Sequence, residues 1–295
     1  MIKRTVYIGN AASVRVQFEQ LRIVQQERES KVPIEDLGFL ILDHYGITLS
    51  HGALASLLEN NVAVIMTDER HLPLGIFMPL RANKEQSSSF RAQIEAPLPL
   101  KKRLWQQTIK AKIKNQAFLL DQIGLEGHPL HSMSEQVLSG DSSNQEAAAA
   151  KVYWQLLFEP RHFKRHRDGK PPNNLLNYGY AILRGIVARS LSGTGLLPML
   201  GIHHCNQYNP FPLADDVMEP YRPYVDQIVW ELMREEEIDY TALTPEIKQR
   251  FLELPSIGVM MNGQAKPLHL ATARTAASLK DCLNGEKKMM VYPQL

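Results

Sequence analysis

The sequence predicts an α+β chain, with a small β-rich N-terminal domain over residues 1–80 and a larger all-α domain over residues 91–295. Three observations predict it. Short β-branched or alternating runs crowd residues 1–80. A polar stretch at 81–90, containing Ser87-Ser88-Ser89, has no apolar period and reads as a linker. The apolar spacing that follows is helical.

Val6-Tyr7-Ile8, Val14 to Phe18 and Leu21 to Val24 read as strands separated by turn residues such as Gly9-Asn10. Phe39 to Leu42 and Ile47-Thr48-Leu49 continue the pattern around Gly46. One helix interrupts, with Ser50 as its cap and Ala53, Leu54, Leu57 and Leu58 as its apolar stripe. The strand Val62 to Met66 follows. Beyond the linker, Leu104, Trp105, Thr108, Ile109, Ile113, Gln116 and Ala117 mark a long helix within Leu100 to Leu120. Further helices are predicted at Glu146 to Phe158, at Asn174 to Leu191, around Val225 to Met233, and over residues 265–284. The last stretch, Asn284 to Leu295, is predicted to be loosely held.

Net charge is +2, so any nucleic-acid site must come from local clustering rather than bulk charge. Two cysteines, Cys205 and Cys282, are too few for a disulfide framework and form no CxxC pair. They predict reduced thiols in a cytoplasmic protein. No apolar run reaches membrane-spanning length, and the first residues read as a strand rather than a leader.

Three segments concentrate polar groups. In Asn144 to Trp154, Glu146, Ala150 and Tyr153 share a helix face, and small alanines beside the carboxylate leave room for a substrate; an exposed first-turn acid is the alternative. The segment Gly201 to Phe211 holds His203-His204, Asn206, Gln207, Tyr208 and Asn209, either a functional loop or a hydrogen-bonded structural one. In Leu213 to Pro223, Asp216 and Glu219 are spaced to face one way, and Pro220 and Pro223 should kink or restart the helix; acidic capping is the alternative. Carboxylates with one imidazole and no cysteine cluster suit Mg2+ or Mn2+ rather than structural zinc. Such an ion can stabilise displacement at phosphorus. Basic residues cluster nearby, at Lys101-Lys102-Arg103, at Lys110, Lys112 and Lys114, and from Arg161 to Lys170. Arg165, Arg167, Lys170, Lys110, Lys114 and Arg222 are the candidates for DNA contact.

These segments, in order, resemble the CRISPR-associated adaptation integrases, the "Cas-one" family, and in particular its members from type II systems. The matching blocks are Glu146 to Trp154, Pro171 to Tyr180, Gly201 to His204 and Asp216 to Pro223, with Lys112 to Gln116 as a further segment. The resemblance implies a β-rich N-terminal domain, a helical catalytic domain and a homodimer. It implies a divalent ion, Mg2+ or Mn2+, held by Glu146, His204 and Glu219, which would also be the catalytic set. Asp216 is implied in a supporting position, and Asn177 and Tyr153 lie inside matching blocks in supporting roles. Ala147-Ala148 departs from relatives that often carry a glycine there. The implied reaction is spacer acquisition: the 3′-hydroxyls of a prespacer duplex join to the CRISPR repeat by transesterification. The implied partners are double-stranded DNA, the small "Cas-two" protein in a heterohexamer, and the large effector nuclease as a further candidate. Two other readings stay open on the residues alone, a metal-dependent repair nuclease without an integration role and a non-catalytic DNA-binding scaffold.

Overall fold

The structure is a computed structural model that describes residues 3–26, 28–69, 71, 73–79, 83–158, 163–166 and 169–295. The chain divides into two compact units, Met1–Lys84 and Glu85–Leu295.

The first unit holds two sheets. One is built from β1 (Arg4–Ile8), β5 (Leu37–Leu42), β7 (Ala63–Thr67) and β8 (Pro73–Phe77) in the order β1-β5-β7-β8, parallel except for β8. The other runs β4-β3-β2-β6, from β2 (Ala12–Gln17), β3 (Gln20–Gln25), β4 (Arg28–Pro33) and β6 (Ile47–Leu49). Burial follows the sequence pattern. Along β5 every residue is buried, as a central parallel strand requires. On β2 and β3 the buried residues alternate, with Ala12, Val14, Leu21 and Ile23 facing the core. Helix α1 (His51–Glu59) starts where Ser50 Oγ accepts the Ala53 N–H at 3.2 Å. Strand β2 stops one residue earlier than its apolar run suggests. Phe18 and Glu19 form the β2–β3 turn with φ of 50° and 59°, and Phe18 lies exposed at that turn.

The second unit contains α2 (Gln86–Glu95), α3 (Leu98–Gln122), α4 (His128–Glu135), α5 (Gln145–Leu157), α6 (Asn173–Thr194), α7 (Pro212–Met218), α8 (Arg222–Leu232), α9 (Pro245–Leu252) and α10 (Leu268–Leu283). Helices α3 and α6 form its interior. Trp105, Ile109, Ile113 and Leu120 are buried on α3, and Leu176, Leu183, Ile186 and Val187 on α6. Gly179 lets α6 lie close to α8, since a Cβ there would stand 2.4 Å from Val225 Cγ1. No helix among the described residues is long and apolar enough to cross a membrane.

Three expectations are corrected. Residues 86–90, read as linker, begin α2. The helix was hidden because its buried positions include the polar Ser89 and Gln93. Gln93 Nε2 donates to the carbonyls of Leu197 and Leu200 at 2.8 and 2.7 Å. The second unit is not all helix. Strands β9 (Gly258–Met261) and β10 (Gln264–Pro267) form a hairpin through Asn262-Gly263, whose φ values of 51° and 74° are those this dipeptide favours in a two-residue turn. The final stretch is not loose. Val291 O accepts from Thr275, the Val291 N–H donates to Ser278 Oγ, Tyr292 OH meets Thr108 Oγ1 at 2.7 Å, and the Leu295 N–H reaches Asn115 Oδ1. Paired backbone groups, not apolar spacing, hold this tail, so hydrophobic pattern alone could not reveal it.

Candidate metal centre

Three pieces of chain bring the predicted acids and imidazole together. The first is the start of α5. Asp141, just upstream, accepts the N–H groups of Gln145 and Glu146 at 2.8 and 3.0 Å, which caps the helix. Glu146 is not the freely exposed first-turn acid of the alternative reading: its carboxylate reaches Lys112 Nζ at 2.6 Å.

The second piece is the junction of α7 and α8. Pro220 and Pro223 restart the helix through a tight turn at Glu219–Tyr221. Asn115 on α3 clamps this turn, donating to the Pro220 carbonyl at 2.7 Å. Glu219 is buried there, with Oε2 2.6 Å from Lys112 Nζ and 2.9 Å from Arg222 Nε. Oε2 and Arg222 Nε face each other as an ion pair, yet neither makes a well-aligned hydrogen bond.

The third piece is the loop 201–211. The fully buried Asp216 carboxylate accepts the N–H groups of Ile202, His203 and His204 at 2.7, 2.9 and 3.2 Å and contacts His204 Nδ1 at 2.5 Å. The loop can wrap this closely because residue 201 is glycine; a Cβ there would stand 2.2 Å from the His204 carbonyl oxygen. Asp216 is thus a support and not a facing acid. A carboxylate can only accept, so Nδ1 carries the proton and the Nε2 lone pair of the neutral ring is left for another partner. Trp105 frames the pair, stacked on His203 at 4.0 Å and edge-on to His204 at 5.5 Å.

Charge dominates this region. Burial would push the Glu219 carboxyl up, but Arg222 and Lys112 outweigh it and hold the group well below the usual carboxylate range. Burial would likewise lower Lys112, and the charges of Glu219 and Glu146 raise it instead. His204 is raised by its hydrogen bond to Asp216, against burial, with Glu219 and Glu146 adding to the rise. Among the described residues, no three His, Cys, Asp or Glu side chains converge at coordination distance. The gap between Glu146 and Glu219 is bridged by the Lys112 ammonium. The donor set nonetheless fits a hard divalent cation: two carboxylate oxygens converge on one cationic centre, beside an imidazole whose outer nitrogen Asp216 leaves unused.

The remaining candidates fall elsewhere. Tyr153 joins a second polar cluster: it and Tyr180 donate to buried Asp226 at 2.8 and 2.5 Å. Arg222 lies over the Tyr180 ring at 4.5 Å, so its guanidinium serves Glu219 and Tyr180 rather than standing free for a phosphate. Arg165 is similarly engaged, donating to Asn173 at 3.0 Å and to Asn177 at 2.7 Å, and this places Asn177 with Arg165 rather than with the metal ligands. Lys110 and Lys114 both pair with Glu135 on α4. Lys170 is exposed, and Arg167 lies outside the described residues. In the N-terminal unit, a cavity of about 590 Å³ is lined by residues including Asp43, Tyr45 and His71. Its Asp43 carboxylate accepts from Tyr7, Thr67 and His71.

Lys112 and Asp226 were missed as site residues, although both leave a signal. Lys112 sits one turn from Thr108 and Gln116 on the buried stripe of α3, and Asp226 adjoins Val225 on the buried face of α8. A charge on an apolar stripe needs a partner.

The family described as "CRISPR associated protein Cas1" matches residues 6–254. The chain belongs to the CRISPR-associated protein Cas1 family. A relative named "CRISPR-associated endonuclease Cas1", from Neisseria meningitidis serogroup C (strain 8013), is 38% identical over 255 residues, covering 86% of this chain and 83% of its own. Among solved structures, a casposase bound to its integration product superposes with a TM-score of 0.79 at 19% identity, over 98% of this chain and 92% of the casposase. A chain of a Cas6-RT-Cas1–Cas2 complex superposes with a TM-score of 0.77 at 21% identity, over 99% of this Cas1-family chain and 36% of that one. Both share the fold.

The buried cluster predicts a pH dependence of stability. Burial raises the Asp226 carboxyl from 3.8 to about 6, and the hydrogen bonds from Tyr180 and Tyr153 and the charges of Arg222 and Arg165 only partly offset it. A folded-state value above the unfolded one contributes stability that is complete below the unfolded value and lost as pH rises through the folded one. Between about pH 4 and pH 7 the wild type should therefore lose up to about 3 kcal/mol relative to Asp226→Asn. Urea unfolding of both proteins at the two pH values measures this. An equal stability gap at both would contradict it.

Proposed function

We propose that this Cas1-family chain is a divalent-metal-dependent DNA endonuclease and integrase that acts in CRISPR spacer acquisition. The observation that carries the reading is the convergence of Glu146 and Glu219 on one cationic centre beside His204. Family membership supports it, as do the relative named an endonuclease and the casposase named as bound to an integration product.

Glu146, Glu219 and the Nε2 of His204 would hold Mg2+ or Mn2+. The bound ion would supply stabilisation of the charge that develops on phosphate oxygens. Asp216 keeps His204 in the tautomer that presents Nε2, and its grip on three loop N–H groups fixes the ring in place. Arg222 holds Glu219 ionised. The exposed Ala147 and Ala148 leave room beside Glu146 for a DNA backbone.

In the proposed transesterification, a prespacer 3′-oxygen forms a bond to phosphorus as the bond from phosphorus to a 3′-oxygen of the repeat strand breaks. The attacking hydroxyl loses its proton to solvent, and the departing oxygen takes one up. No side chain forms a bond to DNA, in keeping with the absence of a Ser or Cys paired with a base in the three-segment site. The proposed partners are double-stranded DNA, a second copy of the chain and a Cas2 protein, the last supported by the Cas1–Cas2 assembly among the solved structures.

Glu146→Ala should abolish strand transfer of a labelled prespacer in Mg2+ or Mn2+ while retaining cooperative unfolding, since alanine suits a helix position. Strand transfer by the variant at the wild-type rate would refute the assignment. Hydrolysis without strand transfer by the wild type would favour the repair-nuclease reading.

DNA binding should follow the exposed Lys164 and Lys170 rather than the internally engaged Arg165. Changing both lysines to alanine should weaken duplex binding on any sequence. It should also reduce the slope of log affinity against log salt by about 0.9 for each phosphate that is no longer neutralised. An unchanged slope would move the DNA track to Lys101 through Lys114.

A further inference from the structure

We propose that Lys112 is a built-in competitor of the divalent ion, a positioning residue that holds the two acidic ligands together and sets how tightly the metal binds. The inference rests on the metal reading above. Lys112 Nζ lies 2.6 Å from Glu146 Oε1 and 2.6 Å from Glu219 Oε2. Oxygen ligands hold Mg2+ or Mn2+ at about 2.1 Å, so an ion bound by both carboxylates must occupy the same gap. Two cations cannot share it.

The side chain is built for this position. It projects from the buried face of α3, and only 10% of it is exposed, against 26% for Glu146 and 4% for Glu219. Asn115, one turn further along α3, clamps the turn that carries Glu219. One helix thus fixes both the ammonium and one of its two acceptors. With Lys112 and Arg222 opposite Glu146 and Glu219, the cluster is balanced at two positive and two negative charges. A divalent ion entering this balanced group meets like charge until the ammonium withdraws, and that withdrawal weakens its binding.

Mn2+ binding by calorimetry and thermal unfolding in EDTA and in Mn2+ test this on the full chain, with Lys112→Met and Lys112→Arg. Methionine keeps the length and removes the charge; arginine keeps the charge. Lys112→Met should bind Mn2+ at least about tenfold more tightly than the wild type, since the competitor is gone. In EDTA it should unfold at a lower temperature, because two facing carboxylates lose their shared cation, and Mn2+ should raise that temperature more than it does for the wild type. Lys112→Arg should bind no more tightly than the wild type. If the wild type binds Mn2+ and Lys112→Met binds equally or more weakly, the inference fails while the metal reading stands. If neither binds, the metal reading fails and this inference with it. A Lys112→Met protein that stays unfolded even in millimolar Mn2+ also overturns it, since the ion should replace the lost charge.

Discussion

Two carboxylates facing one another inside a protein repel unless a cation stands between them. Glu146 and Glu219 meet that constraint through Lys112, and much of the second unit is arranged around it. Helix α3 brings the ammonium, Asp141 starts α5 so that Glu146 can turn inward, and Asn115 fixes the turn that carries Glu219. The C-terminal tail joins the same scaffold, because Asn115 also donates to the Pro293 carbonyl. Removing the central cation without replacing it would take from Glu146 and Glu219 the ammonium they share and leave Glu219 to Arg222.

A second polar cluster lies beside the first and is coupled to it through Arg222. This guanidinium pairs with Glu219 and covers the Tyr180 ring, and the Tyr180 hydroxyl donates to Asp226. The strongly basic segment whose charge suggests a DNA track contributes Arg165 to this cluster, through Asn177 and the Tyr180 ring. An arginine that is part buried and hydrogen-bonded on its planar edge acts as a structural fork. Exposed lysines nearby keep the mobile charge suited to phosphate.

The α+β class was legible because local pattern and burial agree: β5 reads as one apolar run, α1 begins at its serine cap, and α6 spans its predicted stripe. The hairpin at β9 and β10 was legible in principle from Asn262-Gly263. Helix α2 and the tail were not, since both are held by polar groups such as Gln93 and Asn115 that periodicity does not weigh. In the site, the polar segments pointed to Glu146, to the pair His203-His204 and to Asp216 with Glu219, and the choice of Glu146, His204 and Glu219 among them rested on the family resemblance. The division of labour between Asp216 and Glu219 depended on the fold, because only the return of loop 201–211 onto α7 gives Asp216 three backbone N–H groups. The bridging role of Lys112 depended on the three-dimensional meeting of α3, α5 and the turn after α7, segments far apart in sequence.

Glu146, His204 and Glu219 are proposed to form a single divalent-cation site. Anomalous scattering from a crystal of the protein grown with Mn2+ tests it most directly, because the ion is located without reference to activity. One strong peak is expected, bounded by Glu146, Glu219 and the Nε2 of His204, with the Lys112 ammonium withdrawn from the gap. A peak elsewhere, or none at saturating Mn2+ with Lys112 still bridging Glu146 and Glu219, would contradict it.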